Sequence, residues 1–292
     1  MLIEVLLKAI LYGFVDSLRG SFLVFTLDTK IRNKKTHAKA KNVEEPKVLH
    51  RILQCCALNG GVFWLSLLAF YGVLLPLVQS LLMALTHVDI WLYIGPLLNA
   101  TFSTLWVLPL FLLSRIVNSL WFQDIADLAY KHSRGRSQGL QSWSKLIADV
   151  LFSTIIQALF LVQAMILGFL PIPGLNTALS LLHMCLLYSL YSFEYRWYHM
   201  GWELPKRLTY IELHWPYFLG FGLPLTLVTY LPSSFLVSGC VFSILFPVFI
   251  ISGNEAQPFV NVGNYPLRLF TPVVTLANTI FQKTIGKASV RK

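Results

Sequence analysis

Residues 150–193 read VLFSTIIQALFLVQAMILGFLPIPGLNTALSLLHMCLLYSLYSF. These 44 residues contain no Asp, Glu, Lys or Arg. An uncharged apolar run of 18 or more residues is a membrane-helix candidate, and about 20 suffice to cross. This run is too long for one crossing, and Pro171-Ile172-Pro173-Gly174 divides it into two arms. Proline lacks an amide donor and glycine supplies unusual backbone angles, so the pattern predicts a helical hairpin with its turn at 171–174.

Three further runs share the property: Ile52–Val88, Ile90–Ser114 and Leu213–Asn254, of 37, 25 and 42 residues. All 36 charged side chains therefore fall in the other 144 of 292 residues. Charged residues are 12% of the chain, against about 25% in soluble domains, while 56% is apolar and mean hydropathy is +0.65. These values exclude an ordinary soluble domain. A 14% aromatic content excludes a disordered chain. The reading is an all-α integral membrane protein with three helical hairpins. The 52–88/90–114 pair is long enough to span fully. The 150–193 and 213–254 hairpins, the latter broken at Pro232-Ser233-Ser234, either span or are re-entrant. Pro76, Pro96 and Pro109 are expected to kink rather than break their helices.

Three regions follow: 1–50, an amphipathic helix and basic linker; 51–255, the membrane domain; 256–292, a second amphipathic helix and a basic tail. In residues 1–27 the charges Glu4, Lys8, Asp16 and Arg19 fall on one stripe of a helical wheel. Such a helix lies in the membrane interface or packs against the bundle. Lys30, Arg32, Lys34 and Lys35 in the linker are candidates for contact with an anionic membrane surface.

Charge also orients the chain. Residues 1–51, 115–149, 194–212 and 255–292 alternate with the apolar hairpins and hold all 23 Lys and Arg. The turns at His87–Asp89, Pro171–Gly174 and Pro232–Ser234 hold none. The positive-inside rule then places both termini in the cytosol.

Catalytic motifs of the HExxH, GxSxG, Walker and GxGxxG types are not found. Catalytic, cofactor and metal residues are expected to be none, and the chain is read as no enzyme. No nucleic-acid motif accompanies the basic run. Asp124 and Asp127 sit three apart, but Lys131 completes an i,i+4 ion pair with Asp127. Cys55, Cys56, Cys185 and Cys240 lie in apolar runs and read as packing residues. His183 reads as an interhelical hydrogen-bonding group. The aromatic stretch 188–202 reads as an interfacial belt. The sequon at Asn99 is expected to be buried. The apolar runs lack the acidic residue that cation-coupled transporters keep there. They leave room for an anion path, for which Gln157, Asn176 and the backbone of Gly220, Gly222 and Leu223 are the candidates.

RILQCCALNGGVFWLSLLAFY (51–71), LWVLPLFLLSRIVNSLWFQDIADLA (105–129), LLHMCLLYSLYSFEYRWYHMGWE (181–203), WPYFLGFGLP (215–224) and SGCVFSILFPVFIISGNEA (238–256) resemble the etoposide-induced protein 2.4 family. The resemblance implies a multi-pass endoplasmic-reticulum protein linked to autolysosome maturation, growth suppression and apoptosis. Its partners would be the bilayer and membrane or cytosolic proteins. The family is more distantly similar to CysZ-type sulfate permeases, which combine two long spanning helices with half-inserted hairpins. A small-anion channel or permease is the alternative function. The resemblance supplies no catalytic residue.

Overall fold

The computed structural model describes residues 2–37, 48–86, 91–135, 143–259 and 266–289. Among them no strand occurs. The helices are α1 (Leu2–His37), α2 (Val48–Leu85), α3 (Trp91–Lys131), α4 (Trp143–Gly168), α5 (Leu175–His199), α6 (Leu204–Leu213), α7 (Trp215–Tyr230), α8 (Phe235–Glu255) and α9 (Thr271–Ser289). Helices α2, α3, α4 and α8 are long and apolar enough to cross a bilayer. The expected turn at 87–89 and residues 38–47 of the basic linker lie outside the described residues. The chain divides into two compact units: Met1–Ile31, Ala126–Leu227 and Val248–Lys292 form one, and Arg32–Ile125 with Val228–Pro247 the other.

The second unit is built on the α2–α3 pair. With 38 and 41 residues these helices exceed the bilayer core, since about 20 residues already span 30 Å. Their outer faces carry Leu65, Leu77, Leu105 and Leu112, all exposed and fitted to lipid. Inside the pair, the Phe70 and Phe102 rings stack at 3.6 Å. Polar clasps fix the register at its charged end: Arg51 pairs with Asp124 at 3.1 Å, and Asn59 meets Asn118. The expected proline effect takes a definite form. Phe70–Leu74 and Ser103–Val107 are π-helical and end just before Pro76 and Pro109. Each of these two prolines faces the carbonyl four residues back, Gly72 or Leu105, across a widened turn, whereas Ala57–Trp64 is π-helical with no proline just after it and Pro96 lies in regular α-helix. Val107 and Cys240 form a small core that Leu67, Phe102 and Leu236 cover.

The first unit has a conventional core. On α4 Ile156, Phe160 and Ala164 recur every fourth residue and are buried. They face α5, which returns after a turn whose Gly174 has φ +83°, a conformation costly for other residues. On α9 Val273 and Ala277 form the buried stripe. Its start is fixed by Glu212, whose carboxylate accepts the Phe270 N–H at 2.8 Å. A carboxylate there also complements the helix dipole.

Helix α1 differs from the expected amphipathic helix in two ways. It continues through residues 28–37, where the sequence suggests a linker. Its buried face is also not its greasy one. Ala9, Gly13, Asp16, Ser17, Gly20 and Val24 are buried, while Ile3, Leu7, Leu11, Val15, Leu18 and Phe22 point outward. Close backbone approach explains the choice. A Cβ on Gly13 would overlap the Tyr217 carbonyl, and one on Gly20 the Val248 carbonyl. Asp16, one of the four charges on the expected stripe, accepts the Tyr217 hydroxyl at 2.7 Å and pairs with Arg19.

Candidate functional site

The polar groups that could line a path or hold a ligand gather in the first unit, around the charged ends of α4, α5 and α6. Arg207 on α6 is the centre. Its Nη2 lies 2.7 Å from Asp149 Oδ2, its Nη1 3.4 Å from Glu194 Oε1, and its Nε donates to the Trp202 carbonyl. Glu194 also accepts from the Ser153 hydroxyl and, at 2.6 Å, from the Gln157 amide. Two carboxylates thus flank one guanidinium. Burial pushes the Glu194 carboxyl above the usual carboxylate range, although Ser153, Gln157 and Arg207 oppose the shift.

A second cluster caps α8. Arg196 donates to the Gly253 and Ala256 carbonyls at 3.2 and 2.6 Å, and Arg134 donates twice to the Asn254 carbonyl. Cations suit the negative end of a helix. Burial, with Arg134 nearby, pushes Arg196 down to about 10, so it stays charged at neutral pH.

The candidate anion-path residues do not converge. Gln157 is engaged with Glu194 and Ser153. Asn176 lies at the α4–α5 turn, donating to the Gly168 carbonyl at 3.2 Å and accepting the Thr177 N–H. Gly168 lies eleven residues beyond Gln157 on α4, about 16 Å away along the axis. Gly220, Gly222 and Leu223 fall inside α7, which begins at Trp215, and not at a helix N-terminus. A Cβ on Gly220 would overlap the Ile10 carbonyl, and one on Gly222 the Cys185 carbonyl. These glycines are helix-crossing points, as small residues commonly are in membrane bundles. Lys30, Arg32, Lys34 and Lys35 fall on the last turns of α1, and their side chains lie outside the described residues.

Asp127 pairs with His199 at 2.8 Å, and Asp124 with Arg51. No group of metal ligands occurs among the described residues. His183 sits with Nδ1 2.8 Å from the Leu179 carbonyl and Nε2 2.9 Å from the Gln163 amide. A neutral ring satisfies both contacts: Nδ1–H donates and Nε2 accepts. All four cysteines are free thiols, three of them buried. Asn99 lies on the outside of the α2–α3 pair, where it accepts the Tyr71 hydroxyl at 2.6 Å. The stretch 188–202 is not simply a belt: Phe193 and Trp197 are buried and pack edge-on against Phe218, while Trp202 stacks on Trp197.

Residues 39–253 match the model of the family described as sulfate transporter CysZ/etoposide-induced protein 2.4. The chain belongs to this family. Ectopic P granules protein 4 of Caenorhabditis elegans is 29% identical over 278 residues, covering 87% of this chain and 84% of the relative. An EI24 homolog of Dictyostelium discoideum is 27% identical over 260 residues, 88% of this chain and 76% of the relative. One of Arabidopsis thaliana is 29% identical over 251 residues, 74% and 78%. No solved structure matches. The family match covers helices α2 to α7 and most of α8, so it includes the Arg207 cluster, Gly220 and Gly222, and not α1.

Proposed function

We propose that this member of the CysZ/etoposide-induced protein 2.4 family is a non-enzymatic, multi-pass protein of the endoplasmic-reticulum membrane. It acts in autophagy, at the maturation of autolysosomes, and in negative growth regulation and apoptosis, through protein partners on its cytosolic surfaces. Both termini and the segments 115–149 and 194–212 face the cytosol, since every Lys and Arg lies on that side. The observation that carries the choice over transport is the engagement of Gln157, Asn176, Gly220 and Gly222 in contacts between helices or at a turn. In cells lacking their own family member, this chain should restore lysosomal turnover of an autophagy reporter. Normal targeting to the reticulum without restored turnover would overturn the proposal.

The second reading is a small-anion channel or permease. It draws on the sulfate-transporter half of the family description. It requires the glycine crossings to open, because the backbone amides that would bind an anion are enclosed in packed helix.

A further inference from the structure

Helix α1 has three faces, and each meets a different environment. The small residues Ala9, Gly13, Ser17 and Gly20 meet the protein. Lys8 and Arg19 occupy one edge and are exposed; Glu4, on the same azimuth as Phe22 at the margin of the outward face, is drawn to that edge by its 2.8 Å pair with Lys8. Ile3, Leu7, Leu11, Val15, Leu18 and Phe22 form an outward stripe opposite the small residues; Leu11 is 61% exposed and Phe22 75%. Those charges are distributed over residues 4 to 19 along one edge. An upright helix would carry them through about 20 Å of hydrocarbon, whereas a helix lying in the membrane plane keeps the whole edge at the water boundary.

The crossing geometry gives the same orientation. Helix α1 touches α7 through Ile10 and Gly13, against Gly220 and Tyr217. It touches α8 through Ser17 and Gly20, against Ser252 and Val248; the Ser252 hydroxyl donates to the Ser17 carbonyl and accepts the Gly20 N–H. Helices α7 and α8 are neighbours at this level, with the Phe221 and Phe249 rings 6.1 Å apart. From Gly13 to Gly20 the axis advances about 10 Å, roughly one interhelical spacing. On α7 these contacts of α1 are confined to residues 217–221 and on α8, its antiparallel neighbour, to residues 248–252. Each is about one helical turn, so α1 crosses the pair from side to side and does not run along either helix.

Depth follows from the residues touched. Tyr217, Gly220, Val248 and Ser252 lie inside the charge-free run Leu213–Asn254, within seven residues of its ends. That is at most about 10 Å below the charged boundary, the depth at which interfacial helices bury their apolar faces.

We propose that α1 is a one-leaflet wedge: it lies in the membrane plane on the side of the charged loops, its outward stripe in the acyl chains. The occupant of the stripe is lipid, because the residues under α1 already lie at membrane depth. The part of α1 that carries the stripe, residues 3–22, is about 30 Å long and 10 Å across, and its presence in one leaflet alone expands that leaflet. The chain therefore favours membranes convex toward the α1 side. In the proposed orientation that is the cytosolic side, the outer face of tubules and vesicles. The wedge itself does not depend on that orientation or on the role in autophagy.

Two measurements on the full chain in liposomes test it. Single nitroxides replace Leu11, Leu18 or Phe22, with Lys8 as the water-edge control, in a background lacking the native cysteines. Oxygen should relax the first three more than a nickel chelate does, with the order reversed at position 8. Preferential relaxation by the chelate at all four would place α1 in water. Dipolar broadening between copies at position 11 would show that a second molecule covers the stripe. Either result overturns the proposal. For curvature, an N-terminal tag is labelled from outside a giant vesicle, so only molecules with α1 in the outer leaflet are counted, and a thin tube is pulled outward. The wild type should be enriched on the tube. A variant carrying Leu11→Gln, Leu18→Gln and Phe22→Gln should lose that enrichment while keeping wild-type thermal stability, since all three side chains point away from the protein. Equal tube density for the wild type and vesicle membrane would also refute the wedge.

Discussion

Asn59 and Asn118 exchange two hydrogen bonds: each amide nitrogen donates to the other's oxygen, at 3.0 and 3.1 Å, and both residues are buried. Asn59 Nδ2 also donates to the Cys55 carbonyl. The pair joins α2 to α3 between the Arg51–Asp124 ion pair and the aromatic stack of Phe70 on Phe102, nearer the ion pair. Lipid offers no hydrogen-bonding substitute for a lost partner.

The two amides therefore depend on each other. Replacing either with Leu strands the other and should cost about 1–3 kcal/mol. The double variant should cost less than the sum, with a coupling of about 0.6–1.7 kcal/mol. Unfolding of the four proteins in one detergent checks this. Strict additivity would mean that the exchange contributes nothing.

Glycines separate into two classes. Gly13, Gly220 and Gly222 have no room for a Cβ against backbone, whereas Gly61 and Gly72 face open space. Substituting Ala at 220 or 222 should lower stability by roughly 1–3 kcal/mol through overpacking. Ala at 61 or 72 should be neutral to slightly stabilising, because Ala is the better helix former by about 1 kcal/mol. Thermal denaturation in detergent separates the classes.

Glu194 gives the bundle a pH dependence. Its raised folded pKa means that the folded state holds the proton more tightly than the unfolded chain. Stability from this group is then complete below the ordinary carboxylate range and is lost as pH rises through the folded value. Glu194→Gln should flatten that decline, while Arg207 keeps Asp149 at 2.7 Å. A melting-temperature series from acid to neutral pH reads the difference. Parallel curves for wild type and variant would contradict the assignment.

The turns of the two shorter hairpins are apolar. Phe169 is 82% exposed beside the α4–α5 turn, and Leu231 and Phe235 are 80% and 73% exposed at the α7–α8 turn. Helix α7 has 16 residues, about 24 Å, short of the hydrocarbon thickness. A re-entrant hairpin would bury such a turn. Single cysteines replacing Ile172 and Ser233, in a background lacking the native four, are treated with an impermeant maleimide from the side opposite the charged loops. At least one should resist labelling, with a cysteine at Val88 as the accessible control. Ready labelling of both would establish full spanning.

The hairpins were legible because charge, proline and glycine are local signals: Pro171–Gly174 and Pro232–Ser234 are turns in the structure. Helix α1 was legible as a helix but not in its facing. Its charges mark one polar stripe and leave interface and bundle both open, whereas the packing follows the small-residue row Ala9, Gly13 and Ser17, a spacing that signals close approach in membrane bundles. The Arg207 cluster was not legible at all. Asp149, Glu194 and Arg207 come from three helices, and no local pattern states that they meet. Gln157 was singled out as a polar group in an apolar run, but its partner Glu194 is 37 residues away.

The account rests on these polar groups and glycines holding the helices together and not lining an anion path. Radiolabelled sulfate uptake into proteoliposomes of the purified full chain, against protein-free liposomes, tests that directly. The account predicts equal uptake in the two, unchanged by Gln157→Ala. Saturable uptake above the protein-free level, reduced by Gln157→Ala or by Ala at Gly220 in a folded variant, would contradict it.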